Sequence, residues 1–132
     1  MNSQIQESPA VSIARAHVEA WSNRQFDEAR KSLSDEVKVD VTTTQPIMKD
    51  TNTVGADAYM TGLKMFAQAV EPGSARVIAA TGDQHNALLL VTVRASFAPG
   101  APKVTLPGAR LYLVDDAGKI TSEKVIFYAA EG

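Results

Sequence analysis

Apolar residues recur three and four positions apart near the start of the chain, at Ala10, Ile13, Ala14, His17, Ala20 and Trp21. That spacing predicts a helix capped by Ser8, with Pro9 in its first turn and Ser12, Arg15, Glu19 and Ser22 on the opposite side. A histidine therefore stands in the middle of an apolar stripe. Phe26, Ala29 and Leu33 predict a second, short helix that stops near Ser34-Asp35. Val37, Val39 and Val41 then alternate with Lys38, Asp40 and Thr42, the pattern of a half-buried strand. Residues 45–53 carry turn formers without a period and read as a loop. A third helix from Gly55 buries Tyr59, Leu63, Phe66 and Val70, flanked by Met60 and Ala67, and Glu71-Pro72-Gly73 ends it.

The second half reads as four strands in a meander. The first covers 74–81, and a turn follows at 82–86. Ala87-Leu-Leu-Leu-Val-Thr-Val93 does not alternate, which predicts a central strand covered on both faces. Ala98-Pro-Gly-Ala-Pro102 breaks it. The third strand runs 103–114, with a bulge expected at Pro107-Gly108, and the last runs 119–129 after a hairpin at Asp115-Asp-Ala-Gly118. This order predicts an α+β fold in one domain over residues 1–132. A cone-shaped, curved antiparallel sheet would pack against the three helices of the N-terminal half, an α+β barrel with an apolar pocket between the layers.

The hairpin also predicts a register. If 115–118 form the loop, Leu113 meets Ile120, Tyr112 meets Thr121 and Arg110 meets Glu123. One face then carries Arg110, Tyr112, Thr121, Glu123, Val125 and Phe127. The other carries Leu111, Leu113, Ile120, Ser122, Ile126 and Tyr128, and a one-residue slip would exchange the two sets.

Composition narrows the function classes. Thirteen basic and fifteen acidic side chains give a net charge of -2, with no basic stripe for nucleic acid. Cysteine is absent, which removes disulfides and thiolate chemistry. No apolar run approaches the roughly 20 residues of a membrane span, and the first residues lack the pattern of a secretory signal, so a cytoplasmic location is expected. Phosphate-binding glycine loops and serine-nucleophile elbows are missing. The two histidines are far apart, so neither a metal nor a cofactor is expected.

Ala20-Trp-Ser-Asn-Arg-Gln-Phe-Asp27, Leu33-Ser-Asp-Glu-Val37, the Gly55-led helix and Asp116-Ala-Gly-Lys-Ile120 together resemble the nuclear-transport-factor-2-like superfamily, in particular its SnoaL-like and ketosteroid-isomerase-like members. The resemblance covers nearly the whole chain and implies the cone fold. It also implies that isomerase-type members keep a carboxylate base where this chain has Val41, a tyrosine where it has His17 and an acid where it has Arg110. Members similar to limonene epoxide hydrolase place an aspartate where this chain has Val125. None of these residues matches, so neither mechanism carries over. The positions themselves are implied to line the pocket.

Two residues are candidates for proton transfer, His17 and Glu123. A lone histidine in an apolar stripe has a plain reading, a core residue satisfied by a hydrogen bond, and a functional one, a proton carrier near neutral pH. Arg110 and Glu123 read either as a cross-strand ion pair or as a ligand-binding pair in which the guanidinium holds a negative oxygen. Arg110, Tyr112, Trp21, Tyr59, Val41 and Phe127 are the candidate substrate-binding residues. Three functions stay open: an isomerase, cyclase or lyase acting on a hydrophobic, oxygen-bearing small molecule; a non-catalytic binding protein; and an interaction domain. A homodimer is expected through the outer sheet face, where Leu111, Leu113, Ile126 and Tyr128 would otherwise stand exposed.

Overall fold

The protein is described here from a computed structural model, covering residues 7–43 and 49–128. Helix α1 spans Pro9–Ser22, and Ser8 caps it by accepting from the Val11 amide at 3.3 Å. Helix α2 is Phe26–Lys31, with Asp27 and Glu28 in its first turn and Arg30 and Lys31 in its last, each end matching the helix dipole. Helix α3 spans Ala56–Ala69 behind Gly55, which sits at φ +102°, a conformation that suits glycine. The strands are β1 Leu33–Thr43, β2 Thr51–Val54, β3 Arg76–Gly82, β4 Asn86–Ala95, β5 Val104–Val114 and β6 Ile120–Phe127.

These strands form one curved, unclosed sheet in the order β2-β1-β6-β5-β4-β3, with the helices against its concave side. The expected α+β cone is therefore present, with one change to the sheet. β1 and β6 run parallel, while every other neighbouring pair is antiparallel. No local turn joins those two strands, so neither strand's own pattern carries their relative direction.

Several local expectations are corrected. Leu33 belongs to β1 and not to the second helix; its spacing from Phe26 and Ala29 reports burial, which strand and helix share. Thr51–Val54 is a strand paired antiparallel to Lys38–Val41, where a loop was expected; the rest of that expected loop falls partly on residues 44–48, outside the described set. Strand β4 alternates after all: Ala87, Leu89, Val91, Val93 and Ala95 are buried, whereas Leu88 is 40% exposed. Its unbroken apolar run reflects an apolar convex face and not cover on both sides.

The β5–β6 hairpin also departs from the expected register. Asp115 Oδ1 accepts from the amides of Ala117 and Lys119, each at 2.9 Å, and Gly118 closes the turn at φ +79°. Val114 then pairs with Ile120, and the register shifts so that Leu113 meets Ser122, Tyr112 meets Glu123 and Arg110 meets Val125. Below this irregularity the displacement is two residues, so Arg110, Tyr112, Glu123, Val125 and Phe127 of the expected inward set keep their face, whereas Thr121 drops out of the ladder and its hydroxyl donates to the Leu113 carbonyl at 3.3 Å. Ile120 changes sides and is fully buried.

Pro107-Gly108 makes no bulge, since the β4–β5 ladder is unbroken from Val104 to Leu113. Gly108 serves another purpose. It lies opposite Phe127, and a Cβ there would stand 3.2 Å from Phe127 Cδ1, so the missing side chain leaves room for the ring. On the convex side Leu88, Leu111, Leu113 and Ile126 remain 39–51% exposed, with Leu88 directly opposite Leu111.

Candidate functional site

Between α3 and the concave side of the sheet lies a cavity of about 460 Å³. Its walls are largely apolar: Val39 and Val41 from β1, Leu63 and Phe66 from α3, and Val125 and Phe127 from β6. Lys49, Thr51 and Met65 are exposed and mark the mouth, whereas Tyr59, Arg110 and Glu123 are buried and mark the deep end. Alternation on β5 and β6 brings this about, since residues two apart share the concave face.

The deep end is charged. Arg110 donates from Nη1 to Glu123 Oε2 at 3.4 Å, and neither residue is more than 3% exposed. The guanidinium stands over the rings of Trp21 and Phe127, 5.1 and 5.5 Å from their centroids, an arrangement that suits a planar cation removed from water. Burial works against the Arg110 charge, but Tyr112, Glu123 and Tyr59 outweigh it and hold the guanidinium protonated. Arg110 Nε, Glu123 Oε1, Tyr112 Oη and Trp21 Nε1 are buried without a hydrogen-bond partner among the described residues. Of these four residues only Arg110 and Glu123 line the cavity, so they are the charged groups that a polar group on a ligand would meet at its closed end.

Behind Tyr59 the helices supply a second layer. The α1 period turns His17 inward, and its ring is fully buried between the Ala29 carbonyl, 3.0 Å from Nδ1, and the Tyr59 hydroxyl, 3.0 Å from Nε2. Burial lowers the His17 pKa below 6.5; Glu123 opposes that shift without reversing it. Burial, reinforced by the Glu123 carboxylate, pushes the phenols of Tyr59 and Tyr112 well above their usual range, so both keep their protons.

Of the residues singled out from the sequence, Val41, Tyr59, Arg110, Glu123 and Phe127 line the cavity. His17, Trp21 and Tyr112 stand behind the lining. Trp21 is covered by Arg110 and Phe66, and Tyr112 packs edge-on against the His17 ring, so their surfaces are spent before the cavity begins. Sequence reasoning passed over Thr51, Thr53 and Phe97 as lining residues. Thr51 and Thr53 alternate with Asn52 and Val54, the signal that marks β2; Phe97 lies in a non-periodic segment and carries none.

A family model described as the SnoaL-like domain matches residues 14–123. None of the curated proteins matches significantly in sequence. Among solved structures, a protein from Kribbella flavida is 27% identical, with a TM-score of 0.72 over 91% of this chain and 88% of that one. An epoxide hydrolase of the limonene-epoxide-hydrolase-like type from Mycobacterium tuberculosis is 21% identical, with a TM-score of 0.68 over 90% and 82%. Another Mycobacterium tuberculosis protein, solved in complex with estradiol-17β-hemisuccinate, is 14% identical, with a TM-score of 0.73 over 90% and 93%. No helix among the described residues is long and apolar enough to cross a membrane.

Proposed function

The chain belongs to the SnoaL-like family, and on that premise we propose that it holds a small molecule with an apolar body and oxygen at one end, and turns it over by proton transfer as an isomerase, cyclase or lyase. The carrying observation is the buried Arg110–Glu123 pair at the closed end of the cavity, with Arg110 Nε and Glu123 Oε1 still unpaired. In this reading Glu123 takes or returns the proton. Arg110, a donor that stays charged, holds the oxygen on which negative charge develops. His17 does not reach the cavity and acts through Tyr59. The fold relative that holds a steroid hemisuccinate supports a ligand with a rigid apolar body.

The test is turnover of candidate oxygen-bearing substrates by the wild type and by Glu123→Gln. Loss of turnover with retained binding supports the assignment. Undiminished turnover in Glu123→Gln combined with His17→Ala refutes it.

A second reading, a binding protein without catalysis, is favoured by Val41, an aliphatic wall residue where isomerase-type relatives are implied to keep their base. Mass spectrometry of a co-purified ligand that is bound and never converted decides for this alternative. In either case the convex face, with Leu88, Leu111, Leu113 and Ile126, is proposed to pair two copies of the chain about a twofold axis.

A further inference from the structure

Among the described residues the cavity wall carries two cations, Lys49 and Arg110, and one anion, Glu123. Arg110 and Glu123 meet at the deep end and offset each other. Lys49 stands exposed at the mouth, and its ammonium has no ion-pair or hydrogen-bond partner among the described residues. The surplus positive charge of the wall therefore sits at the open end, away from the buried pair.

Alternation around Lys49 sorts the polar groups. In Lys49-Asp50-Thr51-Asn52-Thr53 the odd positions line the cavity, with Thr51 and Thr53 opposite Val41 and Val39 of β1. The even positions do not line it and are engaged elsewhere: Asp50 Oδ1 accepts from the Thr43 amide at 2.9 Å, and Asn52 donates to Asp40. Both nearby carboxylates, Asp40 and Asp50, thus stay off the wall that the ammonium shares with two threonine hydroxyls. On α3, Asp57 lies 3.6 Å from Arg30 and Lys64 stands over the Phe26 ring, so neither adds its charge to the wall.

From this sorting we infer that the ligand carries a carboxylate at the mouth, met by Lys49 with the Thr51 hydroxyl beside it, at the end remote from Arg110. One ammonium matches one negative charge. A phosphate monoester carries nearly two and calls for arginine forks or several convergent donors, which the mouth does not hold. The apolar walls behind Lys49 focus its field into the cleft, while its exposure leaves the attraction open to screening by salt. A lysine that only discouraged pairing at the free edge of β2 would do so from either side of the strand and would be indifferent to the charge of a ligand. The inference rests on the reading of the cavity as a small-molecule site with oxygen at its closed end, and it adds the ligand's second polar end.

The probes are 6-hydroxy-2-naphthoate and its methyl ester, which share a rigid apolar body with a hydroxyl at one end and differ in charge at the other. Fluorescence titration at pH 7.5 in about 20 mM salt reads both affinities. The wild type should prefer the carboxylate by about fivefold, and the preference should fall towards unity in about 0.5 M sodium chloride. Lys49→Arg should keep the preference, Lys49→Gln should lose it and Lys49→Glu should reverse it. Because Lys49 is exposed, all three variants should fold, which circular dichroism checks. Equal affinities in the wild type overturn the inference, and so does a preference that survives in Lys49→Glu, which would put the carboxylate at Arg110 instead. Both results leave the small-molecule reading intact. Binding of neither compound up to its solubility overturns both for ligands of this size.

Discussion

Arg110 reaches Glu123 along a diagonal of the β5–β6 ladder, with Tyr112 directly opposite the glutamate and Val125 directly opposite the arginine. A diagonal neighbour is farther than an opposed one, and only long side chains span the gap. The contact therefore uses one nitrogen and one oxygen and leaves Arg110 Nε and Glu123 Oε1 without a hydrogen-bond partner among the described residues. An opposed, bidentate pair would have satisfied itself and offered a ligand less.

Removing the anion should expose the cost of that placement. Glu123→Ala leaves a guanidinium buried beside two aromatic rings, and should lower stability by about 3 kcal/mol in urea unfolding. Glu123→Gln, which keeps the volume and an acceptor, should cost less. A loss below about 1 kcal/mol for the alanine variant would show the pair to behave as a wet surface bridge.

The His17 ring gives stability a definite pH dependence. Its folded pKa lies below the unfolded value near 6.5, so the folded protein binds fewer protons. The contribution is complete above pH 6.5 and is lost as pH falls through the folded pKa, at up to about 1.4 kcal/mol per unit. Measured by urea unfolding between pH 7.5 and 5, the wild type should lose more stability than His17→Gln. Parallel curves would place the titration elsewhere.

Two glycines should differ sharply when replaced by alanine. At Gly82 a Cβ would lie 2.2 Å from the Asn86 carbonyl oxygen and 2.9 Å from Val11 Cγ2, so the β3–β4 turn or α1 must move. The cost should be about 3 kcal/mol, visible as a lower melting temperature. At Gly108 the obstacle is the Phe127 ring at 3.2 Å, which can yield. Gly108→Ala should cost about 1 kcal/mol and, by pushing Phe127 into the cavity, weaken ligand binding more than it weakens the fold.

The convex face is tested by charge. Leu88→Glu with Leu111→Glu places like charges directly opposite on that face without entering the core. Sedimentation should show a dimer for the wild type and a monomer for the double variant, with unchanged circular dichroism. A monomeric wild type at micromolar concentration would refute the pairing.

What could be read from the sequence follows the range of the interaction concerned. The α1 stripe, the Gly55 entry to α3 and the Asp115–Gly118 turn are local, and each is legible in a few residues. The faces of β5 and β6 were legible even though the register was not, because a displacement of two preserves alternation; Ile120 crossed over and Thr121 left the ladder, both at the irregularity itself. Leu33 and β4 misled because apolar character reports burial, or exposure awaiting a partner, without saying which. The order of layers in the site was not legible. That His17, Trp21 and Tyr112 stand behind Tyr59 and Arg110 depends on how far each side chain reaches, and neither periodicity nor alternation carries depth.

The parallel seam between β1 and β6 has a consequence in time. It joins segments far apart along the chain: Lys119 Nζ donates to the Lys31 carbonyl at 2.6 Å across 88 residues. The meander of β3 to β6 can form by successive short closures, whereas this seam requires the longest loop to close and rewards it last. Val39 and Val41 come from one side of the seam, and Glu123, Val125 and Phe127 from the other. Until the two edges meet, the walls belong to separate parts of the chain. Assembly of the cavity thus coincides with the slowest search the topology imposes, and a molecule bound across the seam should act as a brake on its reopening.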